Sequence, residues 1–425
     1  MLQSLEQVES FFDGRKAFGI KPGLTRMYRL LKSQSNPQLT FQAIHIAGTN
    51  GKGSTLTFIK DALQENNYKV GVFTSPSLTG YTGHMLINEQ PIGKEHFLRL
   101  LNQLLPVIHT LDLEEMYPTE FEIITTIAFM YFAGNVDIAI IETGMGGRKD
   151  ATNCIQPILS IITNIAMDHA KFLGNTLEKI AYHKAGIIKQ NVPTVIGDVH
   201  PTCLPVIYKE VTNKNSPIYQ LNNDFTYEET LRTRNSHLFK WRYKEWTYPI
   251  EIQMKGQHQV ENASIAMMAL KIINEQGLPL DWDNVYRALS SAQLTGRFER
   301  VHEKPVIILD GAHNPNGMEA FLHTVRHLYG NNKKHLIFAG FHDKELIKMI
   351  KMALPVFDTV SVTSFDHPRA EKAENLMESL PTGMVKHVNW SEKITEIQSQ
   401  HDIYFFVGSL AFIGIVRDYI TKKMM

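Results

Sequence analysis

Between residues 43 and 60 the chain reads AIHIAGTNGKGSTLTFIK, and Gly48-Thr49-Asn50-Gly51-Lys52-Gly53-Ser54 packs three glycines, a lysine and two hydroxyls into seven positions. Those residue types suit an oligophosphate. Glycines let successive backbone N–H groups turn toward one anion, and a following helix N-terminus adds a positive partial charge. Lys52 is spaced to reach β- and γ-phosphates, and the Ser54 hydroxyl to meet Mg²⁺. The loop departs from the GxxxxGK[ST] pattern, because Gly53 separates Lys52 from Ser54. A Gly-rich turn without a ligand is the bland alternative. The β-branched run before the loop (Ile44, Ile46) and the helix-compatible pattern from Thr55 favour the phosphate cradle.

Further polar residues fall where apolar runs stop, and ligands of open α/β sheets bind outside the carboxyl ends of strands. Glu142 ends VDIAIIE and leads into Thr143-Gly144-Met145-Gly146-Gly147; Asp168-His169 follow the next run; Thr74-Ser75-Pro76 close VGVF. A lone Glu or His is more often a hydrogen-bonded structural residue. Beside a phosphate loop, this carboxylate, imidazole and hydroxyls suggest Mg²⁺ positions, with oxygen the usual ligand and His169 the less typical one. His183-Lys184-Ala185-Gly186 lies on a helical pattern, where Lys184 by itself reads as a solvated lysine. Asp310-Gly311-Ala312-His313-Asn314-Pro315 repeats the strand-end arrangement later in the chain, and Pro315 is suited to open a helix. Arg297 precedes it and by itself could be an ordinary surface arginine.

The elements that must hold these residues alternate between strand and helix. Helical patterns cover 4–13, 24–33, 94–105, 119–133 and 258–276; strand-like runs include 136–142 and 157–165. Such alternation predicts parallel βαβ units. HLFKWRYKEWTYPIEI alternates at period two about Lys244-Glu245. Its aromatics read as the apolar face of a small antiparallel sheet rather than a base-stacking surface, since Lys plus Arg (43) equal Asp plus Glu (43). From Val306 a second α/β pattern begins (306–310, 335–341, 357–365, 384–388, 403–409), without a GxGxxG after its first strand. At 425 residues two domains are expected, 1–296 and 297–425. Two cysteines, Cys154 and Cys203, are too few for a disulfide framework. The acidic start MLQSLEQVESFF is unlike a signal peptide, and no run approaches the ~18 apolar residues of a membrane span. A cytoplasmic chain with no nucleic-acid or membrane partner is the expectation.

Together FGIKPGLTRM, HIAGTNGKGST, FTSP, ETGMGGRKDATN, TNIAMDH, HKAGIIK, GQHQVENA, TGRFER, LDGAHNP and VGSLAFIG resemble, in order, the folylpolyglutamate synthase and dihydrofolate synthase family of the Mur ligase superfamily. The resemblance implies an α/β fold: an N-terminal P-loop ATPase-type parallel-sheet domain with a small antiparallel β subregion, and a C-terminal Rossmann-like α/β domain. It implies a monomeric ATP-dependent amide ligase that uses Mg²⁺, L-glutamate, and a reduced folate or dihydropteroate, by way of an acyl phosphate. Thr49, Asn50, Gly51, Lys52, Gly53 and Ser54 would hold phosphates. Ser54, Ser75, Glu142, His169 and Lys184 match metal-site positions, Lys184 as the lysine that becomes carbamylated. Lys52, Lys184, Arg297 and His169 match catalytic positions. Asn262, Arg297, Asp310 and His313 match ATP contacts, with closure of the C-terminal domain completing the site. Asp150 and Ala151 resemble the substrate segment of dihydropteroate-using members. The chain departs from the family in Ser77–His84, where His84 replaces the usual arginine, and in Ala411, where an aromatic is usual. A Mur-type ligase with a non-folate acceptor, or a non-ligating ATP-binding paralogue, are the competing expectations.

Overall fold

The computed structural model describes residues 1–19, 21–77, 80–233, 235–381, 383–397, 399 and 401–423. Eight strands form the N-terminal sheet: β1 (Gln42–Ala47), β2 (Val70–Phe73), β3 (Met85–Ile87), β4 (Gln90–Pro91), β5 (Ile138–Glu142), β6 (Leu159–Ile162), β7 (Thr194–Ile196) and β8 (Ile218–Gln220). Their order is β4-β3-β2-β5-β1-β6-β7-β8. From β2 to β8 every pairing is parallel, and only the edge pairs with β3 and β4 are antiparallel. Crossover helices cover both faces of such a sheet, which is why β5 is buried throughout and apolar until its last residue, Glu142. The register sets Ile46 opposite Glu142 and Ala47 opposite Ile162, so the loops after β1, β5 and β6 leave one edge together.

The helix expected over 94–105 runs on from Lys94 to Leu113 through Pro106, because Ile108 and Leu111 continue its buried stripe. β9 (Phe225–Arg232), β10 (His237–Tyr243) and β11 (Trp246–Ile252) form a separate sheet in the order β11-β10-β9. Lys244, at φ +50°, turns β10 into β11. Phe239, Trp241 and Tyr243 on alternate positions of β10 are buried, and the Trp241 indole donates to the Ser264 carbonyl (3.2 Å). Those rings are core.

The C-terminal sheet contains β12 (Glu299–Glu303), β13 (Val306–Asp310), β14 (Lys334–Phe338), β15 (Thr359–Val362), β16 (Lys386–His387) and β17 (Ile403–Val407), ordered β12-β13-β17-β14-β15-β16. Only β12 pairs antiparallel. Successive side chains of a strand face opposite ways. Ile308 accordingly packs with the helices Pro315–Tyr329 and Leu346–Ala353, whereas Ile307 and Leu309 pack with the helix Leu410–Lys423. The chain divides into two compact units. One comprises Met1–Glu229, Phe239–Glu251 and Glu261–Ala292; the other comprises Thr230–Leu238, Ile252–Val260 and Gln293–Met425. Among the described residues no helix is long and apolar enough to cross a membrane.

Candidate nucleotide and metal site

β1 delivers the chain into the glycine loop, and Gly51, at φ +84°, caps the helix Lys52–Glu65 without a side-chain acceptor. The first-turn N–H groups therefore have no side-chain cap, as an anion site requires. Two glycines are sterically obligatory. A Cβ on Gly48 would stand 1.9 Å from the Thr163 hydroxyl, and one on Gly51 2.3 Å from Asn262 Oδ1. The carboxamide of Asn262 thus lies directly on the loop. Asn50 N–H donates to Asn164 Oδ1 (2.7 Å), and the Thr163 hydroxyl donates to the Asn50 carbonyl (2.6 Å). Thr49 serves the same fastening. Its N–H donates to the Asn164 carbonyl (3.0 Å), and its buried hydroxyl bridges Ala166 O and N at 3.1 and 3.0 Å. Of the expected phosphate contacts, Thr49 is therefore committed to holding the loop, while Lys52, Gly53 and Ser54 form its helical wall.

Lys52 Nζ lies 3.1 Å from the Gly48 carbonyl and 3.7 Å from Glu142 Oε1. The other oxygen of Glu142 accepts from the Thr74 hydroxyl at 2.5 Å. Thr74 is held by His84: its N–H donates to the His84 carbonyl (3.0 Å) and its own carbonyl accepts from His84 Nδ1 (2.8 Å). Burial pushes the His84 imidazole below its ordinary pKa. His84 therefore fixes the strand end beside Glu142. Ser75 is next in chain and half-buried, and Ser54 is buried. Leu78 and Thr79, in the atypical Ser77–His84 stretch, lie outside the described residues. Glu142, Ser54, Ser75 and the buried, unpartnered Thr143 hydroxyl carry oxygen donors of the kind Mg²⁺ takes, while among the described residues no three His, Cys, Asp or Glu side chains gather as a metal site.

Lys184 is buried at 3% exposure. The solvated-lysine reading from local pattern is overturned, because its helix Leu177–Ala185 packs on the loop after Glu142. A Cβ on Gly147 would sit 2.8 Å from the His183 carbonyl and 3.0 Å from the Lys184 carbonyl. Desolvation drives the Lys184 pKa well below the usual lysine range; the Lys52 charge lowers it further, and Asp168 and Asp150 oppose this. His169 adopts φ +50°, caps the short helix Ala170–Leu173 and stands 3.8 Å from Asp168.

Asp150 and Ala151, expected at the acceptor, are both buried. The Asp150 carboxylate accepts from Met145 N–H (2.7 Å), Thr152 N–H (3.1 Å) and the Thr152 hydroxyl (2.6 Å), which clamps the loop 144–152. Burial raises its pKa against those hydrogen bonds. The Thr152 hydroxyl, having donated to Asp150, accepts from His45 Nε2 (2.9 Å), which leaves His45 Nδ1 buried without a partner. Desolvation, aided by Lys189, takes His45 down to about 3. His45, Thr163 and Asn164 were not assigned from sequence, and Thr74 was singled out only as one of the strand-end hydroxyls. Their signal lay in position alone, each at a strand end or within the strand feeding the loop.

In the C-terminal unit, Gly296 (φ +72°) and Phe298 (φ +45°) bracket Arg297 in a tight turn. A Cβ on Gly311 would fall 2.8 Å from Arg297 Nη1, so the guanidinium lies on the strand end. Buried Asp310 accepts from Phe298 and Ala312 N–H groups, each at 2.8 Å. Its pKa is raised by burial and countered first by Arg297. His313 Nδ1 donates to the Gly311 carbonyl (2.9 Å), and Asn314 caps the helix opened by Pro315. Half-buried His258 is lowered to about 4 by desolvation and then by Arg297. Arg297, Asp310 and His313 thus form one cluster, and Lys52, Glu142, Lys184 and Asn262 belong to the other unit.

Residues 46–270 match the Mur ligase middle domain, and residues 296–409 the Mur ligase, glutamate ligase domain. The chain is 37% identical over 430 residues to a dihydrofolate synthase/folylpolyglutamate synthase of Bacillus subtilis, covering 98% of this chain and 99% of that protein. A Mycobacterium tuberculosis folylpolyglutamate synthase complexed with ADP and AMPPCP matches with TM-score 0.87 and 28% identity over 97% of each chain. FolC of E. coli, in complex with DHPP and ADP, matches with TM-score 0.89 and 26% identity over 100% of this chain and 99% of that one. With both domain models placed in order and the likeness running the length of the chain, it belongs to the folylpolyglutamate synthase/dihydrofolate synthase family of the Mur ligase superfamily.

Proposed function

We propose that this chain is an ATP-dependent ligase that joins the amine of L-glutamate to the terminal carboxylate of a reduced folate, and also to dihydropteroate. The observation that carries the reading is the set at one sheet edge: the glycine loop with Lys52, Glu142 opposite it, and the buried Lys184. A carboxylate is a poor electrophile. Transfer of the γ-phosphoryl of ATP makes an acyl phosphate, the glutamate amine attacks its carbonyl carbon, and the C–O bond to phosphate breaks. The protein's task is to align two anions and to neutralise charge. Loop N–H groups and Lys52 would hold the phosphates, and Asn262 braces Gly51; within the other unit Asp310 fixes the turn that carries Arg297, a planar cation of the kind that binds phosphoryl oxygen.

Ser54, Ser75, Glu142 and His169 would hold Mg²⁺, which when bound supplies charge neutralisation at the phosphates. Burial and the nearby Lys52 lower the proton affinity of Lys184, which favours the neutral amine that carbamylation needs, and the carbamate would add a carboxylate-like donor. Its distance from solvent favours retention of that group. Use of dihydropteroate is supported by the clamped Asp150–Ala151 segment, which acts through loop shape. A monomer in the cytoplasm, without nucleic-acid or membrane partners, completes the proposal.

Glutamate-dependent phosphate release is measured with dihydropteroate, with tetrahydrofolate monoglutamate, and without a pterin. Stimulation by either pterin supports the reading. No stimulation by either overturns it, and a peptidoglycan-precursor arm then tests the Mur-type acceptor.

A further inference from the structure

The C-terminal unit holds a recess of about 280 Å³, and every residue around it belongs to that one unit. None of the residues assigned above to nucleotide, metal or catalysis lines it. Its floor is apolar: Phe298, Ile308, Leu328, Tyr329 and Ile403 lie on the sheet face that packs with the helix Pro315–Tyr329. A cavity of ~150 Å³ accommodates benzene, so this one admits a fused two-ring body. An apolar hollow with a few convergent polar groups is the usual form of a small-molecule site.

The polar groups at its rim include two cations, Lys255 and Arg300, and no Asp or Glu among the described residues. Lys255 is half-buried. Its Nζ donates to the Asn235 carbonyl (2.5 Å), and among the described residues it has no carboxylate partner. Burial and the Arg300 charge both lower its proton affinity, with no acid to oppose them. An ammonium has three donors, so one carbonyl leaves it capacity for an anion. Arg300 is paired with Glu303 (2.9 Å), a pair exposed at both ends and therefore weak against a competing anion. The acids adjacent in chain are turned away, because successive residues of extended chain face opposite sides. Glu299, between Phe298 and Arg300, meets Arg417 (2.9 Å), and Asp402, between His401 and Ile403, meets His335 (3.0 Å).

Phe298 links the recess to the turn before it. Its backbone sits at φ +45°, a strained conformation for an aromatic residue, and its N–H donates to Asp310 (2.8 Å). The ring is held by Phe321 and Tyr329, with centroids at 5.8 and 6.3 Å. A body packed on that ring therefore favours the strained conformer. We propose that the recess binds a small apolar carboxylic acid, with its body on Phe298, Ile308 and Ile403 and its carboxylate on Lys255, and that occupancy steadies the turn carrying Arg297. The site stands independently of the ligase reading, since an apolar floor and an uncompensated cation define it.

Calorimetric titration of the full chain with 2-naphthoate at pH 7 tests the site. Native protein should bind one equivalent, and inorganic phosphate should not compete. The uncharged 2-naphthamide, with the same body, should bind native protein about tenfold more weakly (~1.4 kcal/mol). Lys255→Gln should weaken naphthoate about tenfold and leave naphthamide unchanged, whereas Lys255→Arg should keep the native affinity. Saturating naphthoate should slow amide hydrogen exchange over residues 296–300 of native protein. Absence of saturable naphthoate binding overturns the proposal. Equal affinity of native protein and Lys255→Gln for naphthoate does so too, as does equal affinity of native protein for acid and amide. Binding that leaves exchange over 296–300 unaltered overturns the link to Arg297.

Discussion

His45 makes the acid limit of the N-terminal unit predictable. Its imidazole is fully buried and held neutral, with a folded pKa of about 3 against an ordinary 6.5. As pH falls below about 6.5 the unfolded chain takes up the proton first, so unfolding is favoured. The stabilising contribution is complete above that value and is lost progressively toward pH 3. Linkage gives a loss of about 2 kcal/mol at pH 5 and about 3 kcal/mol at pH 4 from this one group. A glutamine preserves the donor, because its amide nitrogen reaches where Nε2 meets Thr152, and it cannot titrate. Urea unfolding of native protein and His45→Gln at pH 7.5, 5 and 4 reads the difference, using fluorescence of Trp241, Trp246 and Trp282 in the N-terminal unit. The variant should gain on native protein by about those amounts at the two acid values. The acid loss from His258, which has a value of about 4, should persist in both proteins. Parallel loss of stability in the two proteins at every pH would refute the reasoning.

Lys184→Ala should keep nucleotide binding by equilibrium dialysis and lower ligation at least ~100-fold, with added bicarbonate without effect; near-native activity removes Lys184 from the chemistry. Gly48→Ala places a methyl against the Thr163 hydroxyl and should destabilise by about 1–3 kcal/mol while raising the KM for ATP; pairing it with Thr163→Ala should recover part of both. Arg297→Lys keeps the charge and loses the planar fork, so kcat/KM should fall ~10- to 100-fold with thermal stability little changed. Glu142→Gln should raise the Mg²⁺ concentration for half-maximal activity at least ~10-fold, as measured by Mg²⁺ titration of phosphate release.

How far sequence alone reached follows from what is local. Strand, glycine loop and helix are contiguous in residues 43–65, so their alternation and glycine placement predict the phosphate cradle directly. Glu142, His169 and Asp310 were legible as ends of apolar runs, and Asn314-Pro315 as a helix start. Backbone chemistry within a few residues decides such features. The paired partners were beyond it. Asn262 meets Gly51, Thr163 and Asn164 fasten Asn50, and Thr74 meets Glu142 only because parallel strands distant in chain end at one edge. Burial was equally hidden. Lys184 has the neighbours of a solvated helix lysine, and only packing on Gly147 removes it from water and lowers its proton affinity. Asp150 could be named as a substrate residue by likeness, yet three hydrogen bonds spend its carboxylate on Met145 and Thr152. Residue type and spacing determine which groups this chain brings to a phosphate; tertiary packing decides which remain charged, because desolvation depends on every neighbour and spacing on only a few.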